Sequence, residues 1–253
     1  MLNDDDLNRY ARQVIINDFE EEGQEKLLNS KCLIVGAGGL GCPVALYASA
    51  AGFGNIEIWD DDIIELTNLN RQIAHDNNKI GLEKAYSLAE ACKRLNPNIS
   101  VKPKIKKLDS FSNISNFDLI FDCSDNPKTK YMLNFLSHNN QKILISGSAT
   151  QMEGQLSIWK SGINKFYPCY ECVFPKTSSV PPVTNCRESG IIGSITGFIG
   201  SMQVTEGIRE IAFKKNSSIL ENSMAGYLFL YDGINQSLDK IKLTKNNECP
   251  LCK

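Results

Sequence analysis

The sequence predicts an α/β fold: a Rossmann-like, doubly wound and mostly parallel sheet, continued by an antiparallel C-terminal extension. Three observations carry that expectation. Between residues 31 and 150, short apolar runs alternate with stretches of helical periodicity, as βαβ units with right-handed crossovers require. A glycine-rich turn separates the first apolar run from the first of those helices. Beyond residue 150 the alternation stops, and strand-like runs read as an antiparallel setting.

Asp4 to Ile15 and Glu20 to Asn29 read as two short amphipathic helices, forming an N-terminal segment over residues 1–30. Lys31 to Val35 is a first strand, and the small and apolar residues from Leu40 to Ala51 suit a helix packed closely on a sheet. Asn55 to Trp59 is a second strand, ending at Asp60-Asp61-Asp62. Leu82 to Leu95 is helical and is stopped by Asn96-Pro97. Ile99 to Ile105, Asp118 to Asp122 and Lys142 to Ser146 are further strands, with a helix over Thr129 to Ser137. Residues 31–150 are thus expected to form the nucleotide-binding part. Residues 151–253 are expected to form an extension of the same domain, with strands at Gly154 to Trp159 and Tyr227 to Tyr231. That extension also holds a Pro-rich loop from Phe174 to Ser189 and a helix from Gly193 to Phe213.

With 253 residues, 42% hydrophobic and 22% charged, the chain can bury a sizeable core. A net charge of -2, from 27 basic and 29 acidic side chains, leaves no excess to neutralise many phosphates, so nucleic acid is not expected as a partner. The acidic start, Met1 to Asp6, lacks the cationic and apolar regions of a signal peptide, and the apolar run Ile191 to Val204 is too short and too interrupted to span a bilayer. A cytoplasmic protein without a membrane partner is therefore expected. In that compartment nine cysteines point to metal or catalysis rather than a disulfide framework. With only His75 and His138 available, the chemistry is not expected to lean on an imidazole base.

Gly36-Ala37-Gly38-Gly39-Leu40-Gly41 satisfies the GxGxxG pattern in its required context, after a strand and before a helix. Glycines let the backbone approach phosphate oxygens, and the helix N-terminus supplies oriented N–H groups and positive potential. Asp60 stands where an acidic residue would hold ribose hydroxyls. A glycine turn serving only helix packing is the alternative, and the motif alone does not choose between NAD and ATP. Asn68 to Gln72, Lys84 and Asp122 to Asn126 make the choice. Loops after strand ends converge on one crevice in a doubly wound sheet, which would gather Arg71, Lys84 and a Mg²⁺-holding carboxylate around a triphosphate. Singly, Arg71 and Lys84 read as solvated surface charges and Asp125 as a helix cap.

Cys169-Tyr170-Glu171-Cys172 and Cys249-Pro250-Leu251-Cys252 are two CxxC pairs, together enough for a closed tetrahedral Cys₄ zinc site pinning the C-terminus; a redox dithiol in each pair is the rival reading. Cys186 lies in the Pro-rich loop beside Arg187 and ahead of a helix, a setting that favours thiolate and a nucleophilic role, against the alternative of an inert loop thiol. Cys32, Cys42, Cys92 and Cys123 fall in strand and helix patterns and read as small core residues.

The ordered set Arg9-Tyr10-Ala11-Arg12-Gln13, Gly36 to Gly41, Asp60 to Asp62, Asn68 to Gln72, Lys84, Asp122 to Asn126 and the two CxxC pairs resembles the ThiF/MoeB family, bacterial relatives of ubiquitin-activating enzymes, from about residue 4 to residue 252. The resemblance implies a nucleotidyltransferase that uses ATP and Mg²⁺ to adenylate the C-terminal carboxylate of a ubiquitin-fold sulfur carrier. In its terms Gly36, Gly38, Gly39 and Gly41 lie at the phosphates, and Asp60 and Asp62 at the ribose end. Asn68, Arg71, Gln72 and Lys84 orient and neutralise the triphosphate, and Asp125 with Asn126 is tied to the metal. Arg12 matches an arginine that reaches into a partner subunit's site, so a homodimer is implied; Cys169, Cys172, Cys249 and Cys252 match zinc ligands. Asn185-Cys186-Arg187, the run of acids at Asp60 to Asp62 and Leu230 to Gly233 look closer to the thiazole branch, with a ThiS-like carrier, than to the molybdopterin branch, with a MoaD-like one; in the thiazole branch the matching cysteine takes part in sulfur transfer. Ser194 departs from the proline of many relatives. An NAD-dependent oxidoreductase and a zinc-stabilised binding scaffold are the competing readings.

Overall fold

The computed structural model describes residues 2–176, 190–214 and 223–252. Eight strands form one sheet in the order β3-β2-β1-β4-β5-β6-β7-β8. Strands β1 (Lys31–Val35), β2 (Asn55–Trp59), β3 (Ser100–Lys104), β4 (Leu119–Asp122) and β5 (Ile143–Thr150) pair in parallel. Strands β6 (Glu153–Trp159), β7 (Tyr227–Asp232) and β8 (Ser237–Lys242) continue it as an antiparallel meander. The predicted fold class is the observed one. Helices are α1 (Asp4–Val14), α2 (Glu20–Asn29), α3 (Gly41–Ala51), α4 (Lys84–Leu95), α5 (Pro127–Asn139), the single turn α6 (Tyr170–Val173) and α7 (Gly193–Ala212).

Strand β1 explains why the sheet is wound on both faces. Cys32 and Ile34 enter the cluster built with α2, α3, α4 and α7, whereas Leu33 and Val35 enter the opposite cluster with Leu133 and Leu136 of α5. A strand buried on both sides has no polar alternation to show, and its sequence is a continuous apolar run. Leu108, Ile114 and Phe117, from the helix-free connection between β3 and β4, complete the second cluster. No helix among the described residues is long and apolar enough to cross a membrane.

Three local details differ from the expected elements. Strand β5 runs to Thr150 rather than stopping at Ser146, because Gly147 to Thr150 pairs with Glu153 to Leu156 across a tight hairpin. Helix α5 starts at Pro127, two residues before the expected Thr129: Asn126 caps it by accepting from Thr129 N at 2.9 Å, and Pro127 has no N–H to lose at the first position. Strand β8 was not expected at all; five of its six residues are exposed, so it carries no apolar alternation.

Candidate nucleotide site and cysteine cluster

The topology places the site. Strands β1 and β4 are neighbours whose connections leave on opposite faces of the sheet, so a crevice opens beyond their C-terminal ends. It measures about 660 Å³ and is walled by the glycine turn, the Asp60–Asp62 segment, Asn68 to Gln72, Lys84 and Ser124 to Asn126. Those segments lie far apart in sequence, and the fold brings them to one place.

Two of the glycines answer to backbone geometry. Gly36 adopts φ +102°, and a side chain there would meet the Cys123 carbonyl oxygen at 2.7 Å. Gly41 packs so closely on the Gly36 carbonyl that a Cβ would collide with it. Gly38 and Gly39 face the crevice, and α3 begins there without a side-chain cap, its N-terminal end directed at the space an anion would occupy. The turn is held from behind by Asp60, which accepts from Ala37 N at 2.6 Å and from Asp62 N at 2.8 Å. Burial raises the Asp60 carboxyl above its ordinary range, with those two N–H groups and Lys84 pulling the other way.

The cationic side has three distinct arrangements. Lys84, 6% exposed, opens α4 and donates to Asp62 Oδ2 at 2.9 Å. Asp62 therefore holds the lysine at the crevice wall, a positioning contact that motif spacing did not reveal. Arg71 Nη1 donates only to neutral acceptors, Thr67 O and Asn70 Oδ1, both at 3.0 Å, and has no carboxylate partner among the described residues. Lys106, Lys107 and Lys130 also line the crevice, and no sequence motif had pointed to them. Lys106 stacks 4.0 Å from the Trp59 ring centroid.

Of the polar residues, Asn68 accepts from Glu65 N at 3.1 Å and so closes a 3₁₀ turn that presents Arg71. Gln72 is 4% exposed, and its Oε1 has no hydrogen-bond partner among the described residues. An orphaned amide oxygen on the wall of a crevice fits a site that a ligand completes. Asp125 is exposed in the crevice with no partner among the described residues, and Asn126, not Asp125, caps α5. The helix-cap alternative for Asp125 is thereby removed. Arg12 is exposed near the end of α1 and does not line the crevice of its own chain. Its helix is fixed by Asn96 Nδ2 donating to Tyr10 Oη at 2.8 Å and by Gln13 Nε2 donating to Ala51 O at 3.0 Å. Cys186 lies outside the described residues.

His75 bears on the site, although not as a base. It is buried, with Nε2 3.0 Å from Ala37 O and Nδ1 3.0 Å from Ser87 Oγ, so it ties the glycine turn to α4 as a neutral ring. Burial lowers its pKa from the ordinary 6.5. The unfolded chain then binds a proton that the folded one refuses, so this contribution is intact above pH 6.5 and lost as pH falls below it. The melting temperature of the ligand-free protein should drop between about pH 7.5 and pH 5.5, and drop less in His75→Gln. Equal drops in the two proteins would contradict this assignment.

The four CxxC cysteines converge into one buried cluster, all Sγ atoms within 4.8 Å of one another. Cys172 and Cys252 approach to 3.2 Å and Cys169 and Cys249 to 3.6 Å, whereas Cys169 and Cys172 of one pair stand 3.9 Å apart. The pairs interleave instead of forming two separate dithiols. A tetrahedral metal with thiolates at about 2.3 Å would set sulfurs about 3.8 Å apart, close to this spread. Burial pushes the Cys169 thiol up to about 12, so a cation is what would make it ionise there. For Cys249 burial is outweighed by the N–H groups of Cys252 and Leu251, and its pKa falls. Helix α6 carries Cys172 and is anchored by Tyr170 N, which donates to Asn134 Oδ1 at 2.9 Å.

The ThiF family model matches residues 10–251. The adenylyltransferase and sulfurtransferase MOCS3 of Drosophila persimilis is 40% identical over 99% of this chain and 54% of its own length. Its counterpart in Caenorhabditis briggsae is 41% identical over 98% of this chain and 60% of its own length. The chain thus spans a little over half the length of these curated relatives. Among solved structures, E. coli MccB with AMPCPP and MccA superposes with a TM-score of 0.80 at 20% identity, covering 97% of this chain and 74% of MccB. The microcin C7 biosynthetic enzyme MccB with N-formylated MccA gives 0.81 at 19% identity, covering 100% and 77%. At such identity the likeness is one of fold.

Proposed function

The chain belongs to the ThiF family, and from that premise we propose that it uses Mg-ATP to adenylate the C-terminal carboxylate of a ubiquitin-fold sulfur carrier, releasing pyrophosphate. The single observation that carries this reading is the crevice at the β1–β4 switch point, where the glycine turn, Arg71, Lys84 and an exposed Asp125 meet. A carboxylate is already a nucleophile at neutral pH, so attack on the α-phosphate needs no general base, and a site with no free histidine suits it. Alignment of the two reactants and neutralisation of phosphate charge then supply the rate.

Each residue has a task in that reading. Gly38, Gly39 and the first turn of α3 approach the phosphates, and Asp60 turns its remaining lone pairs to the ribose. Gln72 finds the donor its buried oxygen lacks. Arg71 and Lys84 neutralise the triphosphate, Lys84 exchanging part of its bond with Asp62 for phosphate oxygen. Asp125, with Asn126 beside it, would hold Mg²⁺, which needs only one or two protein carboxylates when phosphates supply the rest. When bound, that ion neutralises phosphate charge. Arg12, too far from its own crevice to line it, acts in this reading on the site of a second copy in a homodimer. The Cys₄ cluster holds zinc as a closed structural site. Residues 1–30 contribute α1 and Arg12, residues 31–150 the nucleotide site, and residues 151–253 the carrier-binding surface and the zinc site.

For the carrier, the MOCS3 relatives favour a MoaD-like protein, while the Asn185-Cys186-Arg187 run favours a ThiS-like one with Cys186 in sulfur transfer. Pyrophosphate release from Mg-ATP, with both carriers side by side, tests the proposal. Release with either carrier supports adenylation and names the branch; release with neither overturns it.

A further inference from the structure

Beneath the loop that carries Asp125 lies a buried ion pair that no motif identified. Lys130 and Asp122 are 3% and 0% exposed, with Nζ and Oδ2 3.0 Å apart. The ammonium spends its other donors on Gly147 O at 2.8 Å and Ser146 Oγ at 3.4 Å. The carboxylate is equally occupied: Oδ1 accepts from Ser124 N at 3.1 Å and Ser124 Oγ at 2.6 Å, and Oδ2 accepts from Lys130 and from Ser146 Oγ. Gln203 Nε2 donates to Asp122 O at 3.0 Å and Ile145 O at 3.1 Å, locking the ends of β4 and β5 together.

This occupancy has two consequences. Lys130 reaches the crevice wall, yet its three donors are committed, so it is not a phosphate ligand. Asp122 has no lone pair left for a cation, so Asp125 is the carboxylate of this loop that remains for one. The loop between them is fixed at both ends, at Ser124 by Asp122 and at Asn126 by its cap on α5. We propose that the Lys130–Asp122 pair, acting through Ser124, is the positioning device that sets the Asp125 carboxylate where it meets Mg-ATP. This rests on the reading of Asp125 given above.

A purely structural pair would behave differently from a positioning one. Replacing both charges with apolar groups of similar volume, as in Asp122→Leu/Lys130→Met, often restores stability that Lys130→Met alone destroys. The test is the dissociation constant for ATP with Mg²⁺ and with EDTA, by calorimetry, beside ligand-free melting. In the wild type Mg²⁺ should tighten ATP binding by about fivefold or more. In the double variant that gain should vanish although melting recovers, and Lys130→Arg should retain it. Ser124→Ala, which leaves the ion pair intact and is expected to fold, should lose most of the gain. A full gain in Ser124→Ala and the double variant, with Asp125→Ala deprived of it, would overturn the positioning role alone. A full gain in Asp125→Ala would overturn it together with the reading of Asp125.

Discussion

Asp125→Ala should reduce carrier-dependent pyrophosphate release by about a hundredfold or more, the scale seen when one preorganised electrostatic group is removed from an active site. The same substitution should leave melting almost unchanged. Asp125 is exposed, has no partner among the described residues and does not cap α5, and surface changes of that kind fall within about 0.5 kcal/mol. Activity lost without stability is the signature of a residue held ready for a ligand. A variant that keeps its pyrophosphate release would remove Asp125 from the site. One that loses activity by unfolding would show that Asp125 holds the fold instead of a ligand.

The second large effect concerns the cysteine cluster. Freshly purified protein should carry one zinc per chain by elemental analysis, and Cys252→Ala should carry none. The sulfurs sit at the two ends of an interval of some eighty residues, with Cys169 and Cys172 in and beside α6 and Cys249 and Cys252 at the chain's end. Losing the metal frees that end and leaves three buried thiols. Loss of a metal is among the mechanisms behind the largest single-substitution effects, here taken as on the order of 4 kcal/mol. In a chain of this size it lowers the melting temperature by roughly 8–16 °C. A strong chelator should reproduce the shift in the wild type, and a reductant should not. A shift with reductant but not with chelator would revive the dithiol reading that the interleaved sulfur distances oppose.

The fold was legible where side chains repeat a period and the site where backbone constraints leave a residue no substitute. Cys32 to Val35 is buried on both faces and reads as a strand because nothing polar interrupts it. Gly36 and Gly41 are visible in the sequence because a Cβ at either would collide with backbone. Strand β8 was hidden by the same logic, since Ser237 to Lys242 faces solvent and has no apolar rhythm to betray it. Lys130 was hidden differently. On a helix of mixed polarity a lysine reads as a solvated charge, and only the approach of β4 and β5 makes it the partner of a buried Asp122. His75 enters the sequence reading only as a base the chemistry does not need, whereas its work is to hold the Ala37 carbonyl. Asp62 was assigned to ligand binding from its place after β2. Its ion pair with Lys84 became visible only when the segment between them folded back, through the bridge of Ile63 with Glu83.

The measurement closest to the central claim is isotope exchange between pyrophosphate and ATP, run with a carrier ending in glycine and with the same carrier lacking that residue. Reversible adenylation of the terminal carboxylate predicts exchange that needs the intact carrier, disappears with the truncated one and is lost in Asp125→Ala. Exchange without any carrier, or equal exchange with the truncated carrier, would contradict it.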